Sequence, residues 1–186
     1  DVFFLRPDAF AYDDPRPVRA WTAEIEPLLG AARAVLAPSD YLAGLARRTF
    51  PGLAIDVVPN GIETGTPGEA VARSAFLERR PEHVVAVLGA IGTHKGADLL
   101  PALPPQLEGS GIGIVVVGYL GQQIYPGWNE ATGAFVHGPY EPGRTAALLR
   151  AYGAGLVLFP NLVPESFSYA LSEAWAAGYP VLPGPH

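Results

Sequence analysis

Between residues 83 and 182, short apolar segments alternate with helical patterns, and this alternation limits the folds that the chain can adopt. The segments are nearly continuous runs of Val, Ile and Leu, which indicates strands that are buried on both faces. They cover 83–88, 113–117, 134–137 and 155–159, and residues 181–182 begin a fifth. Alternation of this kind predicts an α/β fold with a doubly wound parallel sheet and right-handed crossovers.

Three helices are expected between these strands. The spacing of apolar residues places them at 96–103, 142–152 and 166–177. Pro142 suits the first turn of the second helix, and Gly178 suits the end of the third. In open parallel sheets, ligands bind beyond the carboxyl ends of the strands, so we expect a site in the loops that follow them.

The first part of the chain has a smaller strand–helix–strand pattern of its own. A helix is expected over 21–29, a strand over 34–37, a helix capped by Ser39 or Asp40 and reaching about Arg48, and a strand over 55–59. The composition then changes to Thr, Gly and Pro, followed by a charged helix pattern over 70–80. We therefore predict the remnant of an N-terminal domain at 1–62, a linker at 63–82 and an incomplete second domain at 83–186, with both ends cut inside a larger protein.

Composition excludes several classes of function. The formal net charge is −6 and no basic run occurs, which argues against binding nucleic acid or an anionic membrane. No apolar run approaches the roughly 20 residues that a membrane span needs. Cysteine is absent and the four histidines are scattered, so no disulfide framework and no metal site are expected.

The loop after the first of these strands, Gly89–Gly96, contains two candidate ligand-binding residues. Glycines such as Gly92 let the backbone approach a ligand, and Lys95 offers a flexible cation that suits a diphosphate. An ordinary strand-to-helix turn with an exposed lysine is an equally good interpretation. The spacing matches neither a Walker A loop nor a Rossmann glycine fingerprint.

A second candidate segment ends the strand at 134–137. The backbone at His137 and Gly138 can read the edge of a base while Tyr140 packs beside it. A purely structural turn at the strand end is the alternative.

Two glutamates, Glu165 and Glu173, stand eight residues apart on the last predicted helix. Eight helical steps rise about 12 Å and turn about 80° beyond two full turns, so the carboxylates lie on roughly one side, near opposite ends. That separation exceeds the roughly 5 to 10 Å of a glycosidase pair and suits two parts of one elongated ligand. The free N–H groups at the start of the helix offer a seat for a phosphate.

Taken in order, these motifs resemble the retaining GT-B glycosyltransferases of family 4, the "glycosyl transferases group 1" type. The resemblance runs over roughly residues 30 to 186. The matching pieces are Val57–Ile62, Lys95-Gly96, Val115–Gly118, His137-Gly138, and Glu165 and Glu173 followed by Ala174, Gly178, Pro180 and Val181. One departure is Ala90, where the family often has an arginine, and another is Ser168, where glycine is common.

The resemblance implies two facing Rossmann-like domains, with a sugar nucleotide bound mainly by the C-terminal one. It assigns Lys95 to the donor diphosphate, Glu165 to the donor sugar and Glu173 to the ribose hydroxyls, and it makes Glu165 and Lys95 the catalytic residues. The donor-binding residues that it implies are Gly92, Lys95, Gly118, His137, Gly138, Tyr140, Phe167, Ser168 and Glu173.

The function implied is hexosyl transfer with retention from a nucleoside-diphosphate sugar, without a metal or another cofactor. The acceptor would be a glycan, a lipid-linked sugar or a small molecule in polysaccharide or glycan biosynthesis. The resemblance also implies a cytoplasmic location, free or peripheral to the membrane, and little or no activity of this piece alone. The alternatives are a non-catalytic sugar-nucleotide-binding or assembly module and, among enzymes, an epimerase or phosphorylase on the same fold.

Overall fold

The computed structural model describes residues 18–65, 74–163 and 165–184. The chain divides into two compact units. Residues 1–61 and 164–168 belong to the first unit, and residues 62–163 and 169–186 belong to the second. The predicted three-part division at 62 and 82 stays a prediction.

The first unit contains helix α1 (Val18–Ala31), strand β1 (Leu36–Ala37), helix α2 (Asp40–Thr49) and strand β2 (Asp56–Val57). The two strands pair in parallel, as the strand–helix–strand pattern predicts. Ser39 caps α2, because its hydroxyl accepts from the Leu42 N–H at 3.2 Å. Arg47 ties the end of α2 to the second strand by donating to the Ile55 carbonyl at 2.6 Å.

The second unit is built on a mostly parallel sheet. Its elements are α3 (Ser74–Leu77), β3 (His83–Ile91), α4 (Pro104–Leu107), β4 (Ile112–Leu120), β5 (Gly127–Trp128), β6 (Phe135–Val136), α5 (Thr145–Tyr152), β7 (Leu156–Phe159), α6 (Tyr169–Ala176) and β8 (Val181–Pro183). Among the described residues, the six strands lie in the order β5-β6-β4-β3-β7-β8. All neighbouring pairs are parallel except β5–β6.

The predicted α/β class and the parallel doubly wound sheet are confirmed. β3 lies in the middle, the chain builds outward on one side through β4 and β6, and it then crosses to the other side for β7 and β8. The direction of winding therefore reverses between β3 and β7. The antiparallel edge strand β5 was not predicted, because two residues are too few to show alternation.

The core of this unit lies on both faces of the sheet. Along β4, Val115 and Val117 pack with one set of buried residues, while Ile114 and Val116 pack with another. Successive side chains of a strand point to opposite faces, so these sets are the two helix-covered layers. Phe76 of α3 is fully buried in the first layer.

Of the three predicted helices of this region, the first differs from the expectation in type and the other two differ at their starts. The segment expected as a helix at 96–103 is a 3₁₀ helix over Ala97–Ala102, since Pro101 lacks an N–H and disfavours α geometry in the residue before it. α5 begins at Thr145 and leaves out Pro142, because Gly143 has a φ of +76° and interrupts helical geometry.

The last helix begins at Tyr169 and not at 166. Residues 164–168 group with the first unit, and the chain forms α6 only after it returns to the second. The expectation that Glu165 stands at the helix start is therefore wrong. α6 ends as predicted near Gly178, which has a φ of +82°.

Within the described part of the chain, no helix is both long enough and apolar enough to span a membrane.

Candidate functional site

Three adjacent strands of the second unit have a glycine with positive φ close to their carboxyl ends. Gly89 of β3, Gly118 of β4 and Gly138, just after β6, have φ values of +103°, +132° and +92°. Gly118 pairs with Gly89, and a Cβ atom on Gly118 would collide with the Gly89 carbonyl. The Gly138 N–H donates to the Gly118 carbonyl at 2.8 Å. The carboxyl edge of the sheet therefore has a floor of bare backbone, which we call the glycine floor.

The loop after β3 forms one side of this edge. Gly92 precedes a 3₁₀ turn over Thr93–Lys95, which ends at Gly96 in the left-handed conformation with a φ of +79°. The Gly92 carbonyl accepts from the N–H groups of Lys95 and Ala97, at 2.9 and 3.1 Å. Lys95 thus stands half-buried on a tightly hydrogen-bonded loop at the carboxyl end of the central strand.

The loop after β7 packs directly against the loop after β3. The Leu162 N–H donates to the His94 carbonyl at 3.1 Å. A Cβ atom on Gly96 would collide with the Pro160 carbonyl. These loops follow the two strands between which the winding reverses, and ligands of doubly wound sheets bind at this topological switch point.

The first turn of α6 also lies at this edge. A Cβ atom on Gly89 would stand 3.8 Å from the Cβ atom of Ala170. Phe167 and Ser168 were expected in the first turn of this helix, but they precede it, and together with Glu165 they group with the first unit. The second unit therefore contains Gly92, Lys95, Gly118, His137, Gly138, Tyr140 and Glu173, whereas the first contains Glu165, Phe167 and Ser168.

Glu173, on α6, takes part in a hydroxyl–carboxylate network. Its Oε2 atom accepts from the Thr145 hydroxyl at 2.6 Å and from the Tyr140 hydroxyl at 3.3 Å. Burial raises the pKa of Tyr140 to about 12, and the nearby Glu173 charge acts in the same direction, so the phenol stays protonated and can donate at neutral pH. The expectation that Tyr140 packs beside a base did not foresee this bond.

The His137 side chain contacts Tyr152, the last residue of α5. Its Nδ1 atom shares a hydrogen bond of 2.8 Å with the Tyr152 hydroxyl, and the Tyr152 ring meets it edge-on. Burial lowers the pKa of His137 below 6.5 and raises that of Tyr152 to about 12. A neutral imidazole in this setting orients the strand end, while the backbone of Gly138 belongs to the glycine floor.

Two residues at this edge were missed by sequence reasoning. Thr145 is 3% exposed and bonds to Glu173, although nothing in the helix pattern distinguishes it. Asn161 is also 3% exposed, and among the described residues neither its Oδ1 nor its Nδ2 atom has a hydrogen-bond partner. Buried polar atoms without partners are rare in folded proteins. Its position in the loop that follows a predicted strand was the one signal in the sequence for Asn161.

A cleft of about 490 Å³ lies elsewhere in the second unit, at the amino end of β4. Its walls include Pro104, Leu107 and Ile112. The guanidinium of Arg79, which also lines it, stacks on the Trp128 ring at 3.6 Å. This cleft lies at the amino end of β4, away from the glycine floor, and its wall mixes apolar side chains with Arg79, Glu108 and Thr132.

Within the described ranges, no group of three or more His, Asp or Glu side chains is arranged to hold a metal ion. Whether turnover needs a metal is therefore a question for experiment.

No protein-family model matches the chain, and no curated protein sequence matches it. Solved structures do match its fold. Sucrose-phosphate synthase from Thermosynechococcus elongatus has a TM-score of 0.66 at 17% identity, over 98% of this chain and 48% of that one. Anabaena HepE, solved with UDP and glucose, has a TM-score of 0.65 at 20% identity, over 96% of this chain and 50% of that one.

A third similar structure is a point mutant of TarM from S. aureus, solved with fondaparinux, alpha-GlcNAc-glycerol and UDP. Its TM-score is 0.63 at 13% identity, over 94% of this chain and 34% of that one. The chain thus spans half or less of the length of these structures. They are GT-B glycosyltransferases, and the chain shares their fold.

Proposed function

We propose that the chain carries the donor-binding part of a GT-B glycosyltransferase that moves a sugar from a nucleoside diphosphate to an acceptor. The observation that carries the proposal is the convergence at one sheet edge of the glycine floor, the Lys95 loop and the Glu173 network. The matching fold of proteins solved with UDP supports it.

The proposed roles follow from chemistry that such a donor requires. Lys95 neutralises the diphosphate, which is the leaving group, and Glu173 accepts from the ribose hydroxyls. Bare backbone at Gly92, Gly118 and Gly138 lets the nucleotide come close to the sheet.

Glu165 is proposed to act on the donor sugar, and the amides of Phe167 and Ser168 to meet the sugar or a phosphate. Glu165 precedes α6 by four residues, so a role as the helix cap is not open to it. That position favours a functional role over the capping alternative.

The finer features of the proposal rest on the sequence resemblance. They are membership of family 4, retention of configuration, hexosyl transfer without a metal or cofactor, and an acceptor that is a glycan, a lipid-linked sugar or a small molecule. A cytoplasmic location, free or peripheral to the membrane, belongs to the same set.

Calorimetry on the chain tests donor binding. We expect at least one of UDP, GDP and ADP to bind, and we expect Lys95→Ala to weaken it roughly ten- to a hundredfold, the worth of a charge-assisted contact. The free nucleoside is the control, because it lacks the diphosphate and should lose nothing. Equal losses for nucleoside and diphosphate would remove Lys95 from the site, and no binding by any of the three nucleotides would overturn the proposal.

The second candidate function is a non-catalytic sugar-nucleotide-binding or assembly module, which Ala90 favours because the resemblance leads one to expect an arginine there. Transfer or hydrolysis of a nucleotide sugar by the full-length protein separates the two functions. The same assay in EDTA tests metal independence: activity lost in EDTA and restored by Mg²⁺ or Mn²⁺ would contradict it.

A further inference from the structure

Thr145 makes the shorter of the two hydrogen bonds that described residues donate to the Glu173 carboxylate. It is the first residue of α5, and its Oγ1 atom donates to Glu173 Oε2 at 2.6 Å across 28 residues of sequence. This length is typical of a charge-assisted O–H···O⁻ bond, which is about twice as strong as a neutral one. α5 and α6 are thus joined through a carboxylate.

The two hydroxyls bind the same carboxylate oxygen. Thr145 and Tyr140 both donate to Oε2, whereas no described residue donates to Oε1 of Glu173. A carboxylate oxygen has two acceptor sites, so the protein fills Oε2 and leaves the other oxygen able to accept twice. Glu173 is half-buried, so part of its side chain is accessible to solvent.

The two hydroxyl donors, Thr145 and Tyr140, can hold the Glu173 carboxylate in place without neutralising its charge. A hydroxyl donates a hydrogen bond but carries no charge, so the full negative charge remains available to a ligand. Thr145 is β-branched and 3% exposed, so its side chain has few conformations to lose. A glutamate held at one oxygen loses its rotamer freedom before the ligand arrives, which is preorganisation.

We propose that Thr145 is a positioning residue that holds Glu173 with Oε1 available to the ribose, and that it thereby sets a preference for ribonucleotides over deoxyribonucleotides. The inference rests on the proposed function, because it takes Glu173 as the acceptor for ribose hydroxyls. Two vicinal hydroxyls match the two acceptor sites of Oε1. A 2′-deoxynucleotide fills only one of them.

The experiment compares each of UDP, GDP and ADP with its 2′-deoxy analogue, by calorimetry on the wild-type chain, Thr145→Val and Thr145→Ser. Wild type should bind its preferred ribonucleotide about tenfold tighter than the deoxy form. Thr145→Val, which keeps the shape and removes the hydroxyl, should lose most of that ratio through weaker ribonucleotide binding. Thr145→Ser should keep the ratio, and Thr145→Val should add nothing in a Glu173→Gln background.

Three other results of this experiment would contradict the inference, each for a different reason. If Thr145→Val keeps the ratio, whether or not both affinities fall together, the residue is merely structural and the inference is wrong. If Thr145→Ser behaves as Thr145→Val does, packing and not the hydroxyl matters, and the inference is equally wrong. If wild type binds none of the nucleotides, the proposed function fails and the inference fails with it. Melting curves of both variants confirm that folded proteins are compared.

Discussion

The strands of the first unit pair over two residues each, whereas β3 and β4 of the second pair over nine. In the first unit Leu28 and Leu36 are 68% and 59% exposed, and they line an apolar cleft of about 320 Å³. The second unit buries apolar side chains on both faces of its sheet. A sheet covered on both faces supplies its own core, while a two-residue ladder leaves much of its apolar surface open.

The largest expected effect tests this difference in packing. Phe76 lies 5.4 to 5.9 Å, centroid to centroid, from the rings of Trp128, Phe135 and Tyr152. Phe76→Ala should lower the free energy of unfolding by about 3–5 kcal/mol, because neighbours packed from all sides cannot close the cavity. Phe50→Ala in the first unit should cost less, since its open surroundings can collapse.

Urea unfolding followed by tryptophan fluorescence measures both losses. Trp21→Phe with Trp175→Phe leaves Trp128 as the reporter of the second unit, and Trp128→Phe with Trp175→Phe leaves Trp21 as the reporter of the first. Equal decreases in the free energy of unfolding for the two alanine variants would contradict the proposed difference in packing between the units.

Next in size is the contrast between the two glutamates, which belong to different units. Glu173→Gln should weaken nucleoside diphosphate and nucleotide sugar alike, by roughly ten- to a hundredfold, because it removes a charge from the proposed ribose contact. Glu165→Gln should leave nucleoside diphosphate affinity unchanged and lower kcat in the full-length protein. Calorimetry and turnover are the measurements, and identical behaviour of the two variants would refute the separate roles.

A smaller effect, of opposite sign, is expected at Asn161. Asn161→Leu keeps the branched shape and the number of side-chain heavy atoms but removes two polar atoms that lack partners among the described residues, so it should raise the free energy of unfolding by about 1 kcal/mol. Asn161→Ala is the matched control, because it removes the same atoms but leaves a cavity. Loss of stability in the leucine variant would reveal that the amide has a partner, such as an ordered water.

The smallest effect concerns pH. Burial lowers the pKa of His137 below 6.5, so the unfolded chain takes up this proton first as the pH falls. The stability contributed by the neutral imidazole is complete above about pH 6.5 and is lost as the pH falls through the lower pKa of the folded state. The melting temperature of the wild-type chain should therefore decrease more between pH 7.5 and pH 5 than that of His137→Gln.

His83→Gln is the control for this measurement, because His83 belongs to the same unit but is exposed. If acidification lowers the melting temperatures of the wild-type chain and of His137→Gln equally, the buried histidine does not contribute to the pH dependence of stability.

Sequence reasoning predicted the second unit well where hydrophobic runs are long. β3 and β4 are rich in Val, Ile and Leu, and the structure extends each predicted strand by several residues. Helix starts were less accurate, because they depend on local events such as the positive φ of Gly143 and the attachment of residues 164–168 to the other unit.

The place of the candidate residues in the fold was predictable, but their hydrogen bonds were not. Strand-end loops and glycines pointed to the carboxyl edge, which is where Lys95 and Gly118 lie. The Thr145–Glu173 bond joins residues 28 positions apart, and no local pattern encodes a contact at that separation. The lack of hydrogen-bond partners for the Asn161 side chain among the described residues is likewise a property of its surroundings and not of its place in the sequence.

The contact between the loops after β3 and β7 has a consequence for motion. Loops that follow neighbouring strands ordinarily fluctuate separately on nanosecond to microsecond timescales. Here the Leu162–His94 hydrogen bond and the fit of Gly96 against Pro160 join them, so displacing one displaces the other. A molecule that settles on Lys95 would therefore stiffen the chain around Asn161 without touching it, and hydrogen exchange at the Leu162 amide would record that change.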